Sequence, residues 1–177
     1  AGGGRSAFVR MTNVVIFTTP DGTNFTANVI GCTNVLSANF NDGIAFGTNN
    51  TFWAKRIGAP LLYLTYDLAA KTARTLGVYN ATNLPGYLNL GAIAVDNANG
   101  LLAALEQVGG TVASGAERIW LFAITDPTKP PVALGFRTYS TNNNNATAPH
   151  GYLDFGGGRL YANNVNNGLL VSAVDLV

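Results

Sequence analysis

The side chains able to do chemistry are few and scattered. A single histidine, His150, and a single cysteine, Cys32, stand among ten Lys+Arg and nine Asp+Glu in 177 residues. Asp42 and His150 each come just before a short strand-like run that opens on glycine, and Gly91 holds the same column in a third such run. A carboxylate and an imidazole brought together could bind a metal ion or a sugar. Asp42 fixing a turn, and His150 serving as a loop residue after Pro149, would account for them as well. Asp96 and Asp154 fall inside or just after runs of the same kind. A calcium ion or ordered waters would satisfy either carboxylate there. Asp42, Asp96, His150 and Asp154 are therefore the candidate ligand-binding residues. Cys32 has no partner for an intramolecular disulfide and no nearby Cys or His for a metal box, so it is expected to be a small buried apolar residue.

Other chemistries find little footing. No serine sits in a strand-turn-helix elbow, and one histidine would have to fill every base role. Paired carboxylates for glycoside hydrolysis leave no local motif, so that chemistry stays open. Neither Gly2-Gly3-Gly4 nor Gly156-Gly157-Gly158 opens a helix after a strand, as a phosphate loop would. Tyr63, Tyr66, Tyr139 and Tyr161 could stack on sugars, although at strand positions packing comes first. The net charge of +1 gives no basic field for nucleic acid. Only 11% of residues are charged, about half the usual share, and Asn and Thr supply most of the polar surface. That composition suits an extracellular or cell-surface protein. No apolar run is long enough for a membrane-spanning helix, and the opening AGGG has neither region of a signal peptide, so the chain reads as mature or excised. Asn-x-Thr sequons begin at Asn24, Asn49, Asn80 and Asn145; they matter only if the producer glycosylates.

The elements that must position these residues recur. Leu61–Gly77 is an alternating apolar strand, a turn opened by Asp67 and a second strand closing on Leu76-Gly77. The same plan appears around Asp21 with Ile30-Gly31 and around Asp126 with Leu134-Gly135, and begins again at Leu169 with Asp175. Each of these four aspartates is expected to accept its own turn's amides. The strands before them also repeat: Ile44-Ala45 aligns with Ile93-Ala94, and Phe52-Trp53-Ala54 with Leu101-Leu102-Ala103 and then Leu160-Tyr161-Ala162. Leu101–Val108 alone would pass for a helix, but the repeat register predicts a strand. The tally is fourteen strands in groups of three, four, four and three, with boundaries near 1–42, 43–90, 91–150 and 151–177.

Four-stranded units of 40 to 50 residues are the signature of β-propeller blades. The small-residue first strand, the third strand ending in Tyr-Asp-Leu or Thr-Asp, and the fourth closing on Leu-Gly resemble blades of secreted bacterial propellers of unassigned function. The resemblance covers nearly the whole chain and implies about three and a half antiparallel blades, part of a larger propeller or completed by another chain. It implies that Asp42 and His150 face a central channel, and that the loops Thr33–Asp42, Asn80–Leu90 and Ser140–His150, with Lys55–Pro60, Glu106–Glu117 and Val165–Gly168, form the ligand-binding face. Two functions remain: an extracellular structural or binding module that associates with itself or another chain through unpaired edge strands, or the ligand-binding half of a carbohydrate-active enzyme. Neither requires a cofactor beyond calcium, and a glycan is the ligand class in view.

Overall fold

The structure is a computed structural model, and it describes residues 5–10, 13–32, 42–106, 117–126, 128–139, 151–164 and 167–174. Among these the fold is all-β: fourteen strands and one short 3-10 turn at Tyr87–Asn89. No helix is long and apolar enough to cross a membrane, which says nothing of a β-barrel.

Four antiparallel meanders follow one another. The first is β1 (Arg5–Arg10), β2 (Asn13–Thr18) and β3 (Thr26–Gly31). The second is β4 (Gly43–Phe46), β5 (Thr51–Lys55), β6 (Leu61–Asp67) and β7 (Thr72–Tyr79). The third is β8 (Leu90–Asp96), β9 (Leu101–Glu106), β10 (Arg118–Ala123) and β11 (Val132–Thr138). The last is β12 (Gly151–Gly156), β13 (Arg159–Asn164) and β14 (Gly168–Ala173). The helix-like Leu101–Val108 run is thus strand from Leu101 to Glu106, because all six of its residues are buried between two sheets and tertiary packing outweighs local propensity.

The turns follow from residue type. Asn49 and Asn50 take positive φ of 48° and 54°, as the two central residues of a type I′ hairpin must, and asparagine tolerates that conformation. Gly157 and Gly158, at φ 57° and 71°, do the same between β12 and β13. That triplet of glycines is a hairpin turn.

The first two meanders are not separate sheets. A single parallel bridge, Gly31↔Thr72, joins β3 to β7 and makes one seven-stranded sheet, which curls into a half-barrel so that β2 and β3 pack on β5 and β6. The join forms where the Gly31 amide donates to the Lys71 carbonyl at 2.9 Å. The closing Leu-Gly pairs explain themselves in part. Leu76 and Leu134 are the extra residues of β-bulges in β7 and β11, whereas Ile30-Gly31 pairs in plain register with Val14 and Asn13. A bulge bends and twists the strand that carries it.

Three apolar layers hold the meanders face to face. Val14, Ile16, Ile30 and Cys32 meet Phe52, Leu64 and Tyr66. Trp53, Tyr63 and Tyr79 meet Leu102, Trp120 and Phe122. Ala103, Leu105 and Ile119 meet Leu160 and Ala162. The first strands of successive sheets, β4, β8 and β12, lie side by side. Their small residues are required there: a Cβ on Gly43 would fall 2.6 Å from the Gly91 carbonyl oxygen and 2.7 Å from the Ile93 nitrogen.

Candidate functional site

Strand pairing sets one polar residue at the same place in three sheets. Lys55, Glu106 and Asn164 each end a second strand, opposite Gly43, Leu90 and Gly151 at the start of the neighbouring first strand. Each closes an otherwise apolar or alternating run whose packing drags it inside. All three are buried, and burial of charge demands partners.

Those partners come from loops and from β10. The Lys55 Nζ donates to the carbonyls of Arg56 at 2.5 Å and Ala59 at 2.8 Å, and lies 5.4 Å from the centre of the Tyr87 ring. Its burial lowers the amine to about 8, against a smaller opposing pull from Asp42. The indole Nε1 of Trp120 donates to Glu106 at 3.0 Å, and Arg118 lies 3.8 Å from the same carboxylate oxygen. Gly86 packs directly on this pair. Glu117, also buried, accepts from Asn167 Nδ2 at 2.9 Å, and desolvation raises its carboxyl above the ordinary range. Tyr139 beside it is pushed up to about 12 by burial, then by the charge of Glu117. The face therefore carries ammonium, carboxylate and phenol groups, with Lys55 and Glu117 engaged by loop and turn residues and Glu106 by side chains of β10. The sequence placed Lys55 and Glu106 at the starts of two ligand-face loops, Lys55–Pro60 and Glu106–Glu117, and singled out neither residue. The available signal was a polar residue closing a buried run, as in TFWAK and LLAALE.

The three candidate residues that the structure describes, Asp42, Asp96 and Asp154, are not brought to one place. Asp42 precedes β4; its carboxylate accepts the Ile57 amide at 2.7 Å while its own amide donates to Lys55. That is a turn-fixing role at the polar face. Asp96 ends β8 at the opposite end of the first strands, and its two oxygens accept from the amides of Ala98 and Asn99 and from Asn99 Nδ2. Asp154 is exposed in mid-β12, paired with Tyr161. His150 lies outside the described residues. Among those described, no group of three His, Cys, Asp or Glu side chains could hold a metal ion. The turn aspartates do hold turns: Asp21 accepts from Thr23 and Asn24, Asp67 from Ala69 and Ala70, and Asp126 from Thr128. Asp175 lies outside the described residues. Cys32 is free and buried, its thiol raised to about 11 by desolvation.

Exposed apolar side chains collect elsewhere. The face of β12–β14 turned away from the third meander carries Tyr152, Tyr161, Leu169 and Val171, with exposures of 76%, 37%, 64% and 45%. The face of β1–β3 turned away from the second meander carries Val15, Phe17, Ala27 and Val29 in paired register. Beside the free edge of β14 lies a groove of about 320 Å³, lined by Ile119, Leu121, Gly135, Arg137, Leu160 and Ser172. β7 and β11, the fourth strands of their meanders, carry Arg74 and Arg137; β14 carries no charge.

No protein-family model and no curated protein matches this chain. Among solved structures it is similar to a computationally designed protein, Ika8, at 10% identity and a TM-score of 0.40, over 95% of this chain and 57% of that one.

Proposed function

We propose that this chain is an extracellular structural or binding module of the β-propeller kind, which assembles through the unpaired edge strands of its incomplete sheets. Supporting the architecture, the first strands β4, β8 and β12 lie side by side and the second, third and last meanders run outward from them. The low charge and the Asn/Thr surface support a place outside the cell.

One observation carries the assembly reading. Among the described residues β14 is an edge strand with no charge, no proline and no bulge, beside a groove of about 320 Å³. Soluble proteins blunt such edges with Lys, Arg, proline or a bulge. Unblunted, β14 offers its free backbone groups for strand addition. The carbohydrate-active alternative has no comparable support, since Asp42, Asp96 and Asp154 are not brought together.

The mass of the native particle against the 18.5 kDa chain tests the proposal. A multimer in which the β14 amides exchange with deuterium more slowly than in the dilute chain is expected. A particle of 18.5 kDa at every concentration would end it.

A further inference from the structure

Resting on that assembly reading, we infer that the partner is a second copy of this chain, joined head to tail, with the outer face of one copy's β1–β3 covering the outer face of the other's β12–β14. The internal packing supplies the pattern. Three times within the chain a meander is covered by the next, apolar face on apolar face. Among the described residues the second and third meanders are covered on both sides, and the first and last each on one.

The two uncovered faces suit each other. Both are three strands wide. Among the described residues one meander has the second to fourth strands and the other the first to third, so neither presents the face the other does. Tyr152 stands in register with Asn163 and Leu169, and Tyr161 with Val171, forming two rows across the sheet. On the other face Val15 pairs with Val29 and Phe17 with Ala27. On the β1–β3 face the register sets Arg10 opposite Asn13 at one end, and on the β12–β14 face Asp154 stands in the Tyr161–Val171 row and Arg159 at the hairpin end, both clear of the Tyr152–Leu169 row. An interaction between unlike faces is heterologous, so it forms rings or open chains rather than a two-fold dimer. The chain also contains a precedent for edge and face acting together, since β1–β3 both packs on the second meander and bridges to its outer strand at Gly31↔Thr72.

The test is complementation between two damaged copies, followed by light scattering. Val29→Lys spoils one face and Leu169→Lys the other, both at exposed positions. Each variant alone is expected at the single-chain mass, and the equimolar mixture at twice it, because one good face of each kind remains. Circular dichroism checks that both fold. Ala27→Lys with Tyr152→Lys repeats the experiment if either does not. A wild-type multimer that survives Val29→Lys overturns the head-to-tail arrangement and leaves edge-strand assembly standing. So does a mixture that stays at the single-chain mass. A wild-type particle at the single-chain mass removes the assembly reading itself.

Discussion

Lys55 ends a strand of five buried residues, and its amine pays for that position by spending two hydrogen bonds on backbone carbonyls. The cost of burying the charge has a measurable pH signature. The unfolded chain holds this proton to its ordinary value of 10.5, the folded chain only to about 8. Below pH 8 both states are charged and the fold bears the whole cost. Between 8 and 10.5 the folded amine is neutral first, so the unfolded state binds more protons and stability rises with pH. The rise is at most about 3 kcal/mol. Cys32 and Tyr139 act in the opposite sense, since their folded values lie above 9.0 and 10.0 and their contribution falls as pH climbs past those values. The difference in unfolding free energy between wild type and Lys55→Met isolates the amine. It is expected to grow in favour of wild type by about 2 to 3 kcal/mol from pH 8 to 10.5; a flat difference in denaturant titrations would show that the amine keeps its proton. At this scale the sequence was partly legible. Turn aspartates announce themselves by recurring at the end of each third strand, whereas the burial of Lys55 depends on a sheet that only the folded chain supplies.

Among the elements, the first strands decide how closely the meanders approach. Gly43 meets Gly91 and Ile93 backbone to backbone, and backbone cannot swing aside as a side chain can. Gly43→Ala puts a methyl carbon inside contact distance of two main-chain atoms. It is expected to destabilise by about 1 to 3 kcal/mol, as overpacking does, with β4 and β8 forced apart. Gly22→Ala has open space around its Cβ, but its positive φ of 80° still costs about 1 kcal/mol. A thermal melt in which Gly43→Ala lost no more than Gly22→Ala would refute the close approach. Strand number, order and turns were readable because hydrophobic alternation and Asn/Gly turns are local signals. The bridge from β3 to β7 was not, for it rests on one residue pair that no periodicity marks. Nor does sequence separate the bulged Leu76 and Leu134 from the regular Ile30, since both kinds precede glycine.

For the whole molecule, stability and association should be one measurement. An interface formed only by folded chains stabilises them by mass action, by about 2.7 kcal/mol when the free partner stands a hundredfold above its dissociation constant. In a chain of this length each kcal/mol moves the thermal midpoint by roughly 2 to 4 °C. The midpoint is therefore expected to climb by about 5 to 11 °C from concentrations below association to a hundredfold above it. Leu169→Lys should remove the dependence while leaving the dilute midpoint near wild type, because Leu169 is exposed in the single chain and its loss exposes no core. A midpoint independent of concentration in wild type would mean that the two end faces stay wet. A dependence that persists in Leu169→Lys would place the contact elsewhere, at the free edge of β14 or on the rim strands β7 and β11. β7 carries the exposed Val78, and β11 the exposed Val132 and Phe136. Calorimetric scans over a concentration series separate these cases in one experiment, since only covering of the end faces answers to both Val29 and Leu169.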